Sequence, residues 1–383
     1  MAVLNVLLGA GFSFNAGLPL VAKLSELISA DYTDRIIRWS SGEWKWAAGK
    51  SDDVLQSGRL GGDHIVLSCM MNKVIQSYTQ HYGNISNYEV FFDLVENAKE
   101  SWFEEVRNLA VIHYRNSTNV PSDSVIDRLQ TMNKWNVLEV LNYLIADALA
   151  LSQPIADIQT FYGPFLKHLQ AYDEVYIHTL NHDVLAEALL TTYGLSFSDG
   201  FTKSQSELIS AETDDPIPTY QGKFDQKISI LKLHGSIDLI QYRVGHEQGA
   251  LVTPTGRLIY FKPESYADKH FPIRIDPATD EVLQQLPSEV VPKFITGLTK
   301  PRKIAIDYMY SDLFKRFRQN ITKKGAEMLI IGYSYGDAHV NDIIQDAEIT
   351  TRIRNVNPTW RYPFKKYKNA TDFNYLDDEG VFK

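Results

Sequence analysis

The sequence predicts an α/β fold: a Rossmann-like parallel sheet interrupted by a large helical insertion. Three observations predict it. Near-continuous apolar runs recur at wide intervals, at Val3–Leu8, Glu174–Thr179, 228–233 and 328–331, with a weaker run at 351–356. Each of the first four ends in a polar or glycine-containing turn: 9–11, 181–183, 234–236 and 332–337. The long stretch between the first two runs has helical, not strand, periodicity. Strands without polar alternation belong to sheets covered on both faces, and such sheets hold ligands at the carboxyl ends of their strands.

Within the insertion, "YEVFFDLVENAKESWFEEV" and "VLEVLNYLIADALAL" place apolar residues at helical spacing with polar residues opposite. A segment of this size is a module, not a loop. The predicted organisation is a discontinuous nucleotide-binding domain at 1–30 and 171–358, a helical module at 31–170 and a carboxyl-terminal tail at 359–383, a candidate interaction arm. Residues 42–62 are rich in Gly, Ser and Asp, and 204–227 reads as irregular. Residues 242–301 read as hairpin-like pieces, such as "ALVTPTGRLIYFKP", separated by Pro and Gly.

Composition narrows the function. The 383 residues are 44% hydrophobic and 22% charged, values that support a sizeable globular core. A net charge of −9 argues against a bulk electrostatic grip on nucleic acid. The single cysteine, Cys69, excludes a disulfide framework and a cysteine-based zinc ribbon and fits a reducing compartment. The opening apolar run lacks a basic flank, and no run approaches the roughly 20 residues of a membrane span. The expectation is a cytoplasmic protein with no membrane association.

The candidate chemistry lies at the strand ends. In "GAGFSFNAGLP", Gly9 and Gly11 match the first two glycines of a dinucleotide fingerprint, but Phe14 holds the third position and the next glycine is Gly17. A bulky residue at the helix–strand packing point argues against a dehydrogenase turn. Gly9, Ala10 and Gly11 would let a pyrophosphate approach the backbone, and Ser13 would hydrogen-bond it near a helix start. Asn181 and Asp183 end the second run, where they also fit a cap for the helix that follows. His234 ends the third run and precedes Gly235, a position suited to a group titrating near neutrality, although isolated histidines are also structural. The fourth run leads into "GYSYGDAHVND". There His339, with Asp337 and Asp342, suggests a metal site, but capping and packing are the expected roles, and no metal is assigned.

These motifs, in this order, resemble the sirtuin family: Gly-Ala-Gly-x-Ser with Ala-Gly-Leu-Pro, Thr-x-Asn-x-Asp at 179–183, His234-Gly235, Gly332-x-Ser334, and "NVNP" at 355–358. The resemblance covers nearly the whole chain. It implies that NAD is bound by Gly9, Ala10, Gly11, Ser13, Gly332, Ser334 and Asn357, the last at the adenosine ribose. It implies that Asn181 lies beside the nicotinamide ribose and the reacting water, that Asp183 contacts the nicotinamide carboxamide, and that His234 is the general base. Leu180 replaces the family's usual glutamine, and His182 is unusual. The Pro-Asp-Phe-Arg that guards the ribose in the deacylases is absent, since Pro19 runs into "LVAKL", and the four-cysteine zinc ribbon is absent too. No zinc is expected, and the helical insertion stands in place of the ribbon-bearing small domain.

This pattern is similar to that of sirtuin-like effectors of prokaryotic antiphage defence. The implied activity is NAD+ glycohydrolysis to nicotinamide and ADP-ribose, in a homo-oligomer activated by assembly, a phage signal or a partner such as a HerA-type ATPase or a short Argonaute. The alternatives are a non-catalytic subunit that senses NAD or ADP-ribose and, third, a nuclease.

Overall fold

The computed structural model describes residues 2–38, 43–47, 63–248, 251–285, 290–297, 299–347, 352–355 and 371–372. The chain forms two compact units: Met1–Leu18 with Ala150–Ile295 and Lys300–Lys383, and Pro19–Leu149 with Thr296–Thr299.

The first unit is built on a parallel sheet. Its main strands are β1 (Val3–Leu8), β2 (Glu174–Thr179), β3 (Ile228–Lys232), β4 (Glu327–Ile331), β5 (Arg352–Asn355) and β6 (Thr371–Asp372). They lie in the order β6-β5-β4-β1-β2-β3, with the two-residue strand Phe197–Ser198 outside β3, and every pairing is parallel. This is the strand order of a doubly wound sheet, compatible with a Rossmann-like architecture. Its topological switch point falls between β1 and β4, next to the first glycine turn.

Alternation along β1 explains why the sheet is covered twice. Leu4, Val6 and Leu8 point to one face, into a core with Tyr162, Phe165 and Leu169 of the helix Ile155–Gln170 and Leu185 and Leu189 of the helix Leu185–Thr192. Leu7 points to the other face, with Phe314 and Phe317 of Tyr308–Ile321 and Val340 and Ile344 of Ala338–Ala347. The polar Asn5 shares that second face and is fully buried. Its amide donates to the Asn320 carbonyl at 3.1 Å, and its oxygen lies 3.1 Å from His178 Nε2. Asn5 thus has partners for both its amide and its oxygen, while the other ring nitrogen of His178, Nδ1, has none among the described residues.

The same unit carries smaller antiparallel sheets. One has the order Ile240–Gln248, Leu251–Phe261, Thr219–Lys223, Gly200–Thr202; another joins Val282–Gln285, Ile273–Ile275 and Leu208–Ile209. The "PTG" at 254–256, read from sequence as a turn between hairpin pieces, lies inside the single strand Leu251–Phe261. Its register against Ile240–Gln248 shifts between Arg243 and Gly245, and Gly256 has φ +82°, so these residues absorb a bulge instead of reversing the chain. The stretch read as irregular, 204–227, contributes Leu208–Ile209 and Thr219–Lys223.

Among the described residues, the second unit is helical apart from the two-stranded pair Ile36–Arg38 and Trp44–Trp46. Its described helices are Val21–Ile28, Asp63–Tyr82, Tyr88–Glu96, Glu100–Ser117, Asp123–Thr131 and Lys134–Ala148. The periodic run starting at Tyr88 is two helices. Asn97 ends the first with its side chain donating to the Asp93 carbonyl at 2.8 Å, and Lys99 turns extended before the second. The units part at Leu18/Pro19 and Leu149/Ala150, whereas the sequence division is at 30/31 and 170/171. The helix Ile155–Gln170 packs in the sheet core for the reason given above, and Val21–Ile28 buries Leu24 and Ile28 in the helical unit. No described helix is long and apolar enough to cross a membrane.

Candidate active site at the strand ends

The turn after β1 is held against the turn after β4. Gly9 N–H donates to the Ile331 carbonyl and Gly11 N–H to the Gly332 carbonyl, both at 2.9 Å. A Cβ on Gly9 would stand 2.6 Å from the Gly332 carbonyl oxygen, and one on Gly11 2.8 Å from the Gly332 Cα. Gly332 itself has φ +65°, and a Cβ there would stand 2.2 Å from the Phe12 nitrogen. These three glycines let two backbones meet, a demand only glycine satisfies. Two of the amides read from sequence as available to a pyrophosphate are therefore used inside the fold, while Ala10 is exposed at the start of the short helix Ala10–Phe14.

That short helix turns Phe12 inward, 5.0 Å from the Tyr162 ring and 5.3 Å from Phe165. Phe14, at the third position of the fingerprint, faces solvent with 59% exposure. The bulky residue at the fingerprint's packing position is accommodated by pointing away from the sheet.

Ser13 is buried and meets the end of β2. Asn181 Nδ2 donates to the Ser13 hydroxyl and to the Gly9 carbonyl, each at 3.0 Å, while its backbone N–H donates to Thr179 Oγ1. Two residues on, Asp183 Oδ1 accepts at 3.0 Å the N–H of Leu185, the first residue of Leu185–Thr192, although the N-cap position itself is Val184. The carbonyl of Asp183 accepts from Lys232 Nζ, which also lies 3.4 Å from the buried Glu187 carboxyl. Burial raises the pKa of that carboxyl, with Lys232 opposing the shift.

His234 follows β3 and is 2% exposed. Gly235 has φ +86°, and a Cβ there would lie 2.5 Å from both the Lys293 carbonyl and the Tyr310 hydroxyl, so the residue after His234 must be glycine. The His234 carbonyl accepts the Ile295 N–H at 2.8 Å. Its ring stacks on Phe314 with centroids 6.4 Å apart, and its Nε2 lies 3.4 Å from His339 Nε2. Burial holds the His234 pKa well below the ordinary imidazole range, and Lys300, His182 and His339 add to the shift. The ring is therefore neutral at physiological pH.

His182 and Lys300, unassigned by the sequence reading, belong to this cluster. The His182 ring lies 4.6 Å from Phe294 and 6.4 Å from His234, and burial, followed by Lys300 and Lys232, lowers its pKa to about 3. Lys300 is buried and pairs with Asp337 at 3.0 Å. His339 was visible in sequence beside the Gly-x-Ser turn, but its pairing with His234 spans 105 positions and leaves no local pattern. Lys300 stands in no motif at all.

The turn after β4 is braced from below. Tyr333 donates to Asn341 Oδ1 at 2.9 Å, and Asn341 donates to the Tyr335 carbonyl at 2.9 Å, holding Tyr335 at φ +59°. Ser334 is left exposed on the rim of that turn. Asn357 lies outside the described residues.

The strand ends thus gather two clusters. One joins Gly9, Gly11, Ser13, Asn181 and Gly332. The other joins His182, His234, Lys300, Asp337 and His339, and the adjacent residues Asn181 and His182 connect the two. A neutral imidazole and an oriented carboxamide at the open end of a parallel sheet can accept a proton and position a polar ligand. Compared with protein-family models and with curated proteins, the chain has no match.

Proposed function

We propose that this chain is an NAD+ glycohydrolase of sirtuin-like type that releases nicotinamide and ADP-ribose. The observation that carries the proposal is the Asn181 side chain bonded to both Gly9 and Ser13, with His234 at the neighbouring strand end. Residues far apart in sequence that the family resemblance assigns to one nucleotide stand together at the carboxyl ends of β1, β2 and β3, on one side of the switch point of a doubly wound sheet.

In the proposed reaction, Asp183 holds the nicotinamide carboxamide and Asn181 positions the ribose or water. Water attacks the ribose carbon as the glycosidic bond breaks, and the bonding pair returns to the pyridinium nitrogen. The water's proton passes to His234, whose ring is neutral, although burial and the nearby Lys300 make its protonated form costly. Nicotinamide leaves as a neutral molecule, so no protein acid is required. Ser334, exposed beside Gly332, and Ala10 would face the phosphates and the adenine-side ribose.

We place this activity in the cytoplasm as an antiphage effector that works as a homo-oligomer, switched on by assembly, a phage signal or a HerA-type or short-Argonaute partner. Incubation of the chain with NAD+, alone and with the product of its neighbouring gene, is expected to release nicotinamide. His234→Gln is expected to reduce the rate by about 10²- to 10⁴-fold, the range for loss of a general base. Full activity in both His234→Gln and Asn181→Ala would overturn the assignment.

A second reading is favoured by the 2% exposure of His234. A histidine so enclosed also suits a subunit that binds NAD or ADP-ribose without turnover. Tight NAD+ binding with no nicotinamide released in any of these mixtures would select that reading.

A further inference from the structure

The second cluster contains a candidate ligand set of which the proposed NAD hydrolysis uses only His234. His234, Asp337 and His339 each offer one donor atom, and the three atoms lie within 4.8 Å of one another. The two imidazole Nε2 atoms are 3.4 Å apart. That is long for a hydrogen bond. It matches the edge of a coordination tetrahedron, because zinc–nitrogen bonds of about 2.0–2.1 Å put neighbouring ligand atoms roughly 3.3 Å apart.

The scaffold fixes both rings. His234 is held by the tight turn at Gly235 and by Ile295, and His339 rides on the helix Ala338–Ala347 behind the braced Tyr333–Asn341 loop. Asp337 and His339 are half-buried, so the third and a fourth position can be reached from solvent.

We propose that His234, His339 and Asp337 form a binding site for a transition-metal dication of the zinc type, with water as the fourth ligand. Lys300 sets its selectivity. Its ammonium lies 3.0 Å from the Asp337 carboxylate and opposes any cation held by charge alone. Magnesium and calcium, which need several hard oxygen ligands, are rejected; zinc and cobalt, which form strong bonds to imidazole nitrogen, are accepted. Metal binding takes the His234 Nε2 lone pair. On the hydrolase reading above, occupancy and proton acceptance at His234 therefore exclude each other, and zinc is an inhibitor.

The site is tested by titrating Co2+ into the full chain after dialysis against chelator and following visible ligand-field absorption, with Zn2+ as the competitor. The expected result is a four-coordinate spectrum that saturates at one ion per chain and is abolished by Zn2+ but not by Mg2+. His339→Ala and Asp337→Asn are each expected to weaken binding by at least about tenfold, since even groups behind the ligands are worth that much. His113→Ala, on the exposed side of a helix in the other unit, is expected to change nothing. Absence of the spectrum in the wild-type chain would overturn the proposal, as would unchanged affinity in both His339→Ala and Asp337→Asn. Folding of each variant is checked by circular dichroism. The spectrum needs no turnover, so it decides the site even if NAD+ is never cleaved.

Discussion

Asn181 Nδ2 stands 3.0 Å from the Ser13 hydroxyl, a bond between residues 168 positions apart that ties the end of β2 to the turn after β1. Both side chains are buried, and Asn181 Nδ2 also donates to the Gly9 carbonyl at 3.0 Å. Asn181→Ala removes the donor to Ser13 and Gly9 and leaves buried acceptors unmet. The expected cost is about 1–3 kcal/mol in urea unfolding, together with loss of nicotinamide release. Wild-type turnover in a folded Asn181→Ala protein would remove this residue from the proposed mechanism.

The glycines are expected to divide sharply by environment. Gly332→Ala puts a Cβ 2.2 Å from the Phe12 nitrogen at φ +65° and is expected to cost about 4 kcal/mol or more, or to prevent folding. Gly194 has nearly the same φ, +66°, but no atom within 4 Å of an added Cβ. Gly194→Ala is expected to cost only about 1 kcal/mol. Denaturation midpoints of the two variants measure the difference between backbone strain and collision.

Acid sensitivity is expected to arise in part from His178. Burial lowers its pKa to about 3, against about 6.5 for an unfolded histidine. Above pH 6.5 both states are neutral and the residue contributes no pH dependence. Below it, the unfolded chain takes up a proton that the folded chain refuses, so stability falls by about 1.4 kcal/mol per pH unit until the folded pKa is reached. His178→Gln keeps an amide donor for Asn5 and is expected to flatten the slope between pH 6 and 4. Identical slopes in the two proteins would refute the assignment.

In the helical unit, Asn133 caps Lys134–Ala148. Its side chain accepts from Trp135 N–H at 2.9 Å and Asn136 N–H at 3.2 Å, and Asn136 returns a bond to the Asn133 N–H at 3.0 Å. Asn133→Ala is expected to cost about 1 kcal/mol, read as a lowered thermal midpoint.

Legibility in the sequence followed the range of the interaction. The strands β1 to β4 were visible because both of their faces are largely buried, which leaves near-continuous apolar runs such as Val3–Leu8. The break at Asn97 was not visible, because apolar spacing continues from Val95 to Phe103 with no Gly or Pro between them. Pro254 and Gly256 looked like a turn because local chemistry does not distinguish a turn from a strand bulge. At the site, Asn181 and His234 were marked by standing at strand ends. His182 and Lys300 were not, since only the folded chain brings them to His234.

The seam between the turns after β1 and β4 has a consequence for biosynthesis. β1 is translated more than 300 residues before β4, yet it pairs on one side with β4, and its turn closes only against Ile331 and Gly332. A nascent chain that already carries Asn181 and His234 still has an open edge on β1 and no closed turn. Assembly of the site is thereby deferred until translation has passed β4, and fragments that stop short of it carry the residues without their arrangement.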